Sequence, residues 1–175
     1  MGFKQHFLYL ADYQHWANDM LFDALDHLDD ERRQAPQKLY YGSIHGSLDH
    51  FLFFWRKWVA RIQGVNFNEG YVPGNRLEWR DLKNQLRQEV RNFQRWLEQQ
   101  PESFFDSKLI YRRAVNQEVR EIWVRDALTH LYTYASLERG HVSATASALG
   151  APFPDMAYHL YRQEMGEHLE HLRKA

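Results

Sequence analysis

Leu82, Leu86, Val90, Phe93 and Leu97 follow one another at steps of four, four, three and four, the spacing of one face of an α-helix. A helix with such a stripe must bury it against a partner element. The same rhythm runs through three other stretches. Residues 4–28 place Phe7, Ala11, Ala17, Leu21, Ala24, Leu25 and Leu28 on an apolar face. Residues 43–63 form a second helix, opened by Gly42-Ser43 and closed by Gly64. The fourth runs from about Ile122 to Leu149, stops at Gly150 and meets Pro152 and Pro154 beyond. A turn at YVPGN, residues 71–75, precedes the Leu82–Leu97 helix. Between Pro101 and about Glu121, SKLIYRR and EVREIWV read as extended segments of a small hairpin turning near Asn116-Gln117. A charge-rich last helix, about 155–173, is expected on the outside. The pattern predicts one domain over residues 1–175, all-α. Its architecture is an antiparallel four-helix bundle of up-down-up-down character with an extra C-terminal helix.

Composition narrows the function. Twenty-two basic residues against 23 acidic ones leave a net charge of −1, not the strongly basic footprint of a nucleic-acid binder. There is no cysteine, so disulfides, thiolate zinc sites and a cysteine nucleophile are excluded. The opening MGFKQHFLYLADYQHW has no uninterrupted apolar core and does not read as a signal peptide. The longest apolar run, FLFFW, is too short to span a membrane. A cytoplasmic protein is expected, with no nucleic acid or membrane among its partners. Phosphate loops, nucleophile elbows and HExxH motifs are absent.

The second helix carries more apolar surface than one core requires. Leu48, Leu52, Trp55 and Val59 make one stripe, and Phe51, Phe54 and Trp58 another, with His50 on its flank. An apolar arc about twice the usual 100° suggests burial on two sides. That predicts a homodimer, unless another part of the same chain covers the second stripe.

The stretch THLYTYASLERGHVSA lines up His130, Tyr134, Glu138 and His141 at steps of four, four and three. These side chains fall within roughly 80° of one another, centred about 50° from the apolar face of their helix. They therefore border the core. A carboxylate there needs a cation or hydrogen bonds. A divalent metal held by imidazole and carboxylate would answer that need, and so would a hydrogen-bonded Tyr–His–Glu network. His45 and Asp49, an i, i+4 pair, read as solvated. His168 and His171, in the charged last helix, carry no specific role.

Three segments resemble one family. YLADYQHWANDMLFDALDHL is similar to the opening helix of the DinB-like, or YfiT-like, proteins, with an aromatic and Trp-Ala-Asn at Tyr13, Trp16, Ala17 and Asn18. GSIHGSLDHFLFFWRKWVARIQG resembles their second helix, and HLYTYASLERGHVSATASALGAPFPD their last bundle helix with its Gly-x-Pro-x-Pro-Asp exit. The resemblance implies a metal site of one histidine from the second helix and two, four residues apart, from the last. On this chain those positions are His50, Tyr134 and Glu138. Glu138 can replace an imidazole at zinc, nickel or manganese, whereas neutral tyrosine is a poor ligand. His130, one turn before Tyr134, is the candidate substitute.

Two functions follow. Relatives that use bacillithiol or mycothiol imply a thiol-dependent, metal-assisted transferase or isomerase, with His50 and Glu138 as ligands and Tyr134 as a possible proton donor. The departures at 134 and 138 imply instead a non-catalytic, dimeric bundle with a degenerate metal site that binds a small ligand or a partner protein.

Overall fold

The computed structural model describes residues 2–67, 69–74, 77–113 and 116–165. Its long helices are α1 (Phe3–Leu25), α3 (Ile44–Gln63), α4 (Trp79–Glu98) and α5 (Val124–Ala148), with a short α2 (Asp30–Gln34) after α1. The periodicity places the four long helices within a few residues of their observed bounds. It misses α2, whose five residues are too few for a repeat; Asp29 starts that helix by accepting the Arg32 N–H at 2.8 Å. Ser43 caps α3 in the same way, accepting the Gly46 N–H at 2.9 Å. Gly64 ends α3 at φ 69°, a left-handed conformation that a Cβ would disfavour.

The helices make a four-cornered bundle. α1 packs on α4 and α5, and α3 packs on the same two, so α1 and α3 occupy opposite corners. All five stripe residues of α4 are buried, from Leu82 to Leu97. At the centre Trp55 meets Phe93 and Tyr132 edge-on, each with ring centroids 6.0 Å away. Such burial contributes about 1.5–3 kcal/mol for each large side chain, before the entropy of ordering it.

The helix directions differ from the expected alternation. His45, at the start of α3, lies against Trp79, at the start of α4, with centroids 6.1 Å apart. Further along, Arg56 donates to Glu89 and Gln85. α3 and α4 therefore run parallel. Lys4, at the start of α1, donates to the carbonyls of Glu98 and Gln100 at the end of α4, so those two are antiparallel. The order is up-down-down-up. The reason is the length of the connection between α3 and α4. About fifteen extended residues can span roughly 50 Å, more than the roughly 30 Å of a twenty-residue helix. A return to the starting end is therefore within reach, and a local sequence pattern does not reveal which end a connection seeks.

The hairpin forms as expected. β1 (Lys108–Arg112) pairs antiparallel with β2 (Val119–Trp123), Ile110 opposite Glu121. A 3₁₀ turn, Glu102–Asp106, precedes it and inserts Phe105 beneath Phe7, their rings stacked with centroids 6.1 Å apart. The last described helix, α6 (158–165), crosses α1. Tyr161 lies against Tyr13 and Trp16, and the Trp16 indole donates to Glu164 at 2.8 Å. His168 and His171 lie outside the described residues. Among the described residues no helix is long and apolar enough to cross a membrane.

Both apolar stripes of α3 are covered within one chain. Leu48, Leu52, Trp55 and Val59 are buried, and so are Phe51 and Trp58. Phe54 stacks on Tyr134 of α5, and Trp58 packs against His130 and Tyr111. Helix α5 and the hairpin supply the cover. Burial of α3 thus gives no reason of its own for a second copy.

Candidate functional site

α3 and α5 run antiparallel, and each carries chemistry every fourth residue. Phe54 and Trp58 on α3 meet Tyr134 and His130 on α5, and the same step of four continues to His50 and to Glu138. Two of these pairings are direct. Phe54 and Tyr134 stack with centroids 3.7 Å apart, and Trp58 meets His130 edge-on at 4.5 Å.

The third pairing is filled by a residue from outside the helices. Tyr41, just before the Ser43 cap, lays its ring flat on the His50 imidazole with centroids 3.6 Å apart. Tyr71, from the connection after α3, closes edge-on at 4.9 Å. The Tyr41 phenol interacts with that of Tyr134, and the Tyr134 phenol with the Glu138 carboxylate. Tyr41, Tyr134 and Glu138 thus form a polar chain beside His50. Glu138 is buried at 7% exposure and interacts with the Tyr134 phenol.

Electrostatics keep the imidazole and both phenols of this cluster neutral. Burial pushes the Tyr134 phenol well above its ordinary value, and the adjacent carboxylate pushes it further. Tyr41 is raised by its own burial and by the charge of Glu138. Burial lowers His50 to about 4, with the Lys57 ammonium acting in the same direction. Its imidazole is therefore uncharged at neutral pH. The buried His50 Nδ1 has no hydrogen-bond partner among the described residues.

The other histidines fall elsewhere. His130 is exposed at the rim beside Trp58, its pKa lowered by partial burial and by the Arg61 cation. Phe54 lies against both His130 and Tyr134, and the His130 ring also meets Tyr134, with centroids 6.2 Å apart. His141 is exposed. His45 corrects the expectation of a solvated side chain. It is 1% exposed and its Nε2 bonds the Leu77 carbonyl at 2.9 Å. The connection after α3 folds back over the polar flank of the helix and buries it. Tyr41 and Tyr71 escaped the sequence reading. The only hint was an aromatic pair, Tyr40-Tyr41, next to a helix cap.

The donor set does not fit a three-imidazole metal site. One imidazole, one carboxylate and a phenol held in its neutral form stand at the three positions, and the carboxylate itself helps keep the phenol protonated. Among the described residues no three His, Asp or Glu side chains gather where they could hold an ion. The cluster can instead donate and accept hydrogen bonds at a half-buried aromatic surface.

A search among curated proteins finds no match to the chain. The model of the DinB family matches residues 1–169. With that span matched and a helical bundle observed, the chain belongs to the DinB family.

Proposed function

We propose that this chain is a metal-independent, non-catalytic DinB-family bundle that binds a small molecule. One observation carries the reading. At the position where the family resemblance places a metal-binding imidazole stands Tyr134, a half-buried phenol that burial, the Glu138 carboxylate and Tyr41 all keep protonated. A metal ion would have to take a phenolate from a group whose surroundings favour the phenol. The polar cluster and the aromatic rings around it, Tyr41, Phe54 and Tyr71, are the features of a ligand surface with a few directing polar groups.

The metal-assisted transferase is the competing reading. Its support is the neutral imidazole of His50, whose buried Nδ1 is unpartnered among the described residues. Elemental analysis separates the two, on protein purified without added metal or an affinity tag. The binding-bundle reading expects zinc, nickel and manganese far below one per chain, with no change in His50→Ala. One ion per chain in the wild type, lost in His50→Ala, would overturn it.

A further inference from the structure

A second feature lies two turns along α3 from His50. Between the C-terminal half of α3 and the hairpin opens a cleft of about 540 Å³, within the size range of small-molecule sites. Lys57, Arg61 and Arg112 line it, and no acidic side chain among the described residues does. Arg61 is wedged between two rings, its guanidinium carbon 4.8 Å from the centre of Trp58 and 4.5 Å from that of Tyr111. The nearby lining is apolar and open to solvent: Ile110 is 68% exposed and Val119 51%.

This arrangement is costly as it stands. Lys57 and Arg61 are like charges at i, i+4 on one helix, a destabilising spacing. Both are lowered in pKa by burial, and Arg61 lowers Lys57 further. No carboxylate among the described residues pairs with either. Elsewhere on the surface the same chain pairs its cations readily: Arg56 with Glu89, Arg87 with Asp19, Lys83 with Asp26. A planar guanidinium fixed by flanking rings is suited to two-point recognition of a carboxylate or phosphate. Field lines from three cations converge in a low-dielectric recess.

We propose that this cleft binds a small organic anion, its carboxylate or phosphate meeting Lys57, Arg61 and Arg112 and its apolar body covering Tyr111, Ile110 and Val119. This deepens the reading of a small-molecule binder and rests on it. Arg61, Trp58, His130 and Tyr134 lie in contact in that order, which links the cleft to the Tyr134 phenol.

Isothermal titration of the full chain with 2-naphthoate, phenyl phosphate and the neutral 2-naphthamide tests the proposal. At least one anion should bind saturably, one per chain, about tenfold or more tighter than the amide, and weaken as salt is raised. Arg112→Gln, on an exposed strand position, and Lys57→Gln should each weaken that anion about tenfold while leaving the amide unchanged. No saturable binding of either anion at millimolar concentration overturns the proposal. So does equal affinity for naphthoate and naphthamide, or undiminished anion binding in both variants. Tyr134→Phe separates the two readings. Binding lost there but kept in Lys57→Gln and Arg112→Gln moves the ligand to the Tyr134 chain and refutes the cleft. Binding lost only in the basic variants keeps the cleft and refutes a ligand role for the chain.

Discussion

Tyr41 lies flat on His50, ring centroids 3.6 Å apart and planes 14° from parallel. This contact removes one face of the imidazole from water. It also carries a phenol hydroxyl to Tyr134. The same residue thus lowers the basicity of His50 by desolvation and belongs to the polar group of Tyr41, Tyr134 and Glu138.

A pH dependence follows from the first role. His50 titrates near 6.5 in the unfolded chain and at about 4 in the fold. Between those values the unfolded chain binds more protons, so its stability relative to the fold grows as the pH falls. The fold should therefore be at full strength above pH 6.5, lose stability from 6.5 down to 4, and gain no further loss from this group below that. His15 and His130, also lowered by burial, add to the slope. Urea midpoints at intervals across this range should fall more steeply in wild type than in His50→Gln. Parallel profiles would show that His50 is not the group responsible.

Tyr134 and Glu138 should behave as a coupled pair. Tyr134→Phe leaves a buried carboxylate short of a donor and should cost about 1–3 kcal/mol. Glu138→Gln keeps the shape and removes the charge, so it should be nearly neutral or mildly stabilising. In the double variant the Tyr134→Phe cost should shrink, because the group left unpaired is no longer ionised. Chemical unfolding of the four proteins measures this; strict additivity would disprove the bond between them.

Trp55 should report the core and not a dimer interface. It is fully buried within one chain, against Phe51, Phe93 and Tyr132. Trp55→Ala should cost about 3–5 kcal/mol, and a charged pair at Trp55 and Val59 should unfold the protein. Circular dichroism decides the point. A folded, monomeric double variant would mean that a second copy covers this stripe after all.

Arg139 is a buried cation held by neutral groups. It donates to Asn18 and Ser136 and lies over the Tyr13 ring, and no carboxylate among the described residues pairs with it. Burial lowers its pKa. Arg139→Met should cost less than Arg139→Ala by about 1–2 kcal/mol, because methionine fills the space and carries no charge to desolvate. Equal urea midpoints for the two variants would place the value of Arg139 in its hydrogen bonds alone.

Periodicity sufficed to find α1, α3, α4, α5 and the hairpin, because a buried stripe repeats along the chain that carries it. The apolar positions of α4 and the Gly64 stop of α3 are local facts, and they read directly. The edge position of Glu138 was also accessible, since its angle from Leu131 and Val142 is set by helix geometry alone. The parallel course of α3 and α4 was not accessible, because it depends on where a long connection goes. Nor was the burial of His45, which is caused by Leu77, thirty-two residues away. Tyr41 shows the limit most clearly. Its neighbours in sequence give a cap and a turn, whereas its chemistry comes from His50, Tyr134 and Glu138. Those contacts exist only once α3 and α5 pack with Phe54 against Tyr134, and the free energy that selects this register belongs to the whole core and not to any one segment.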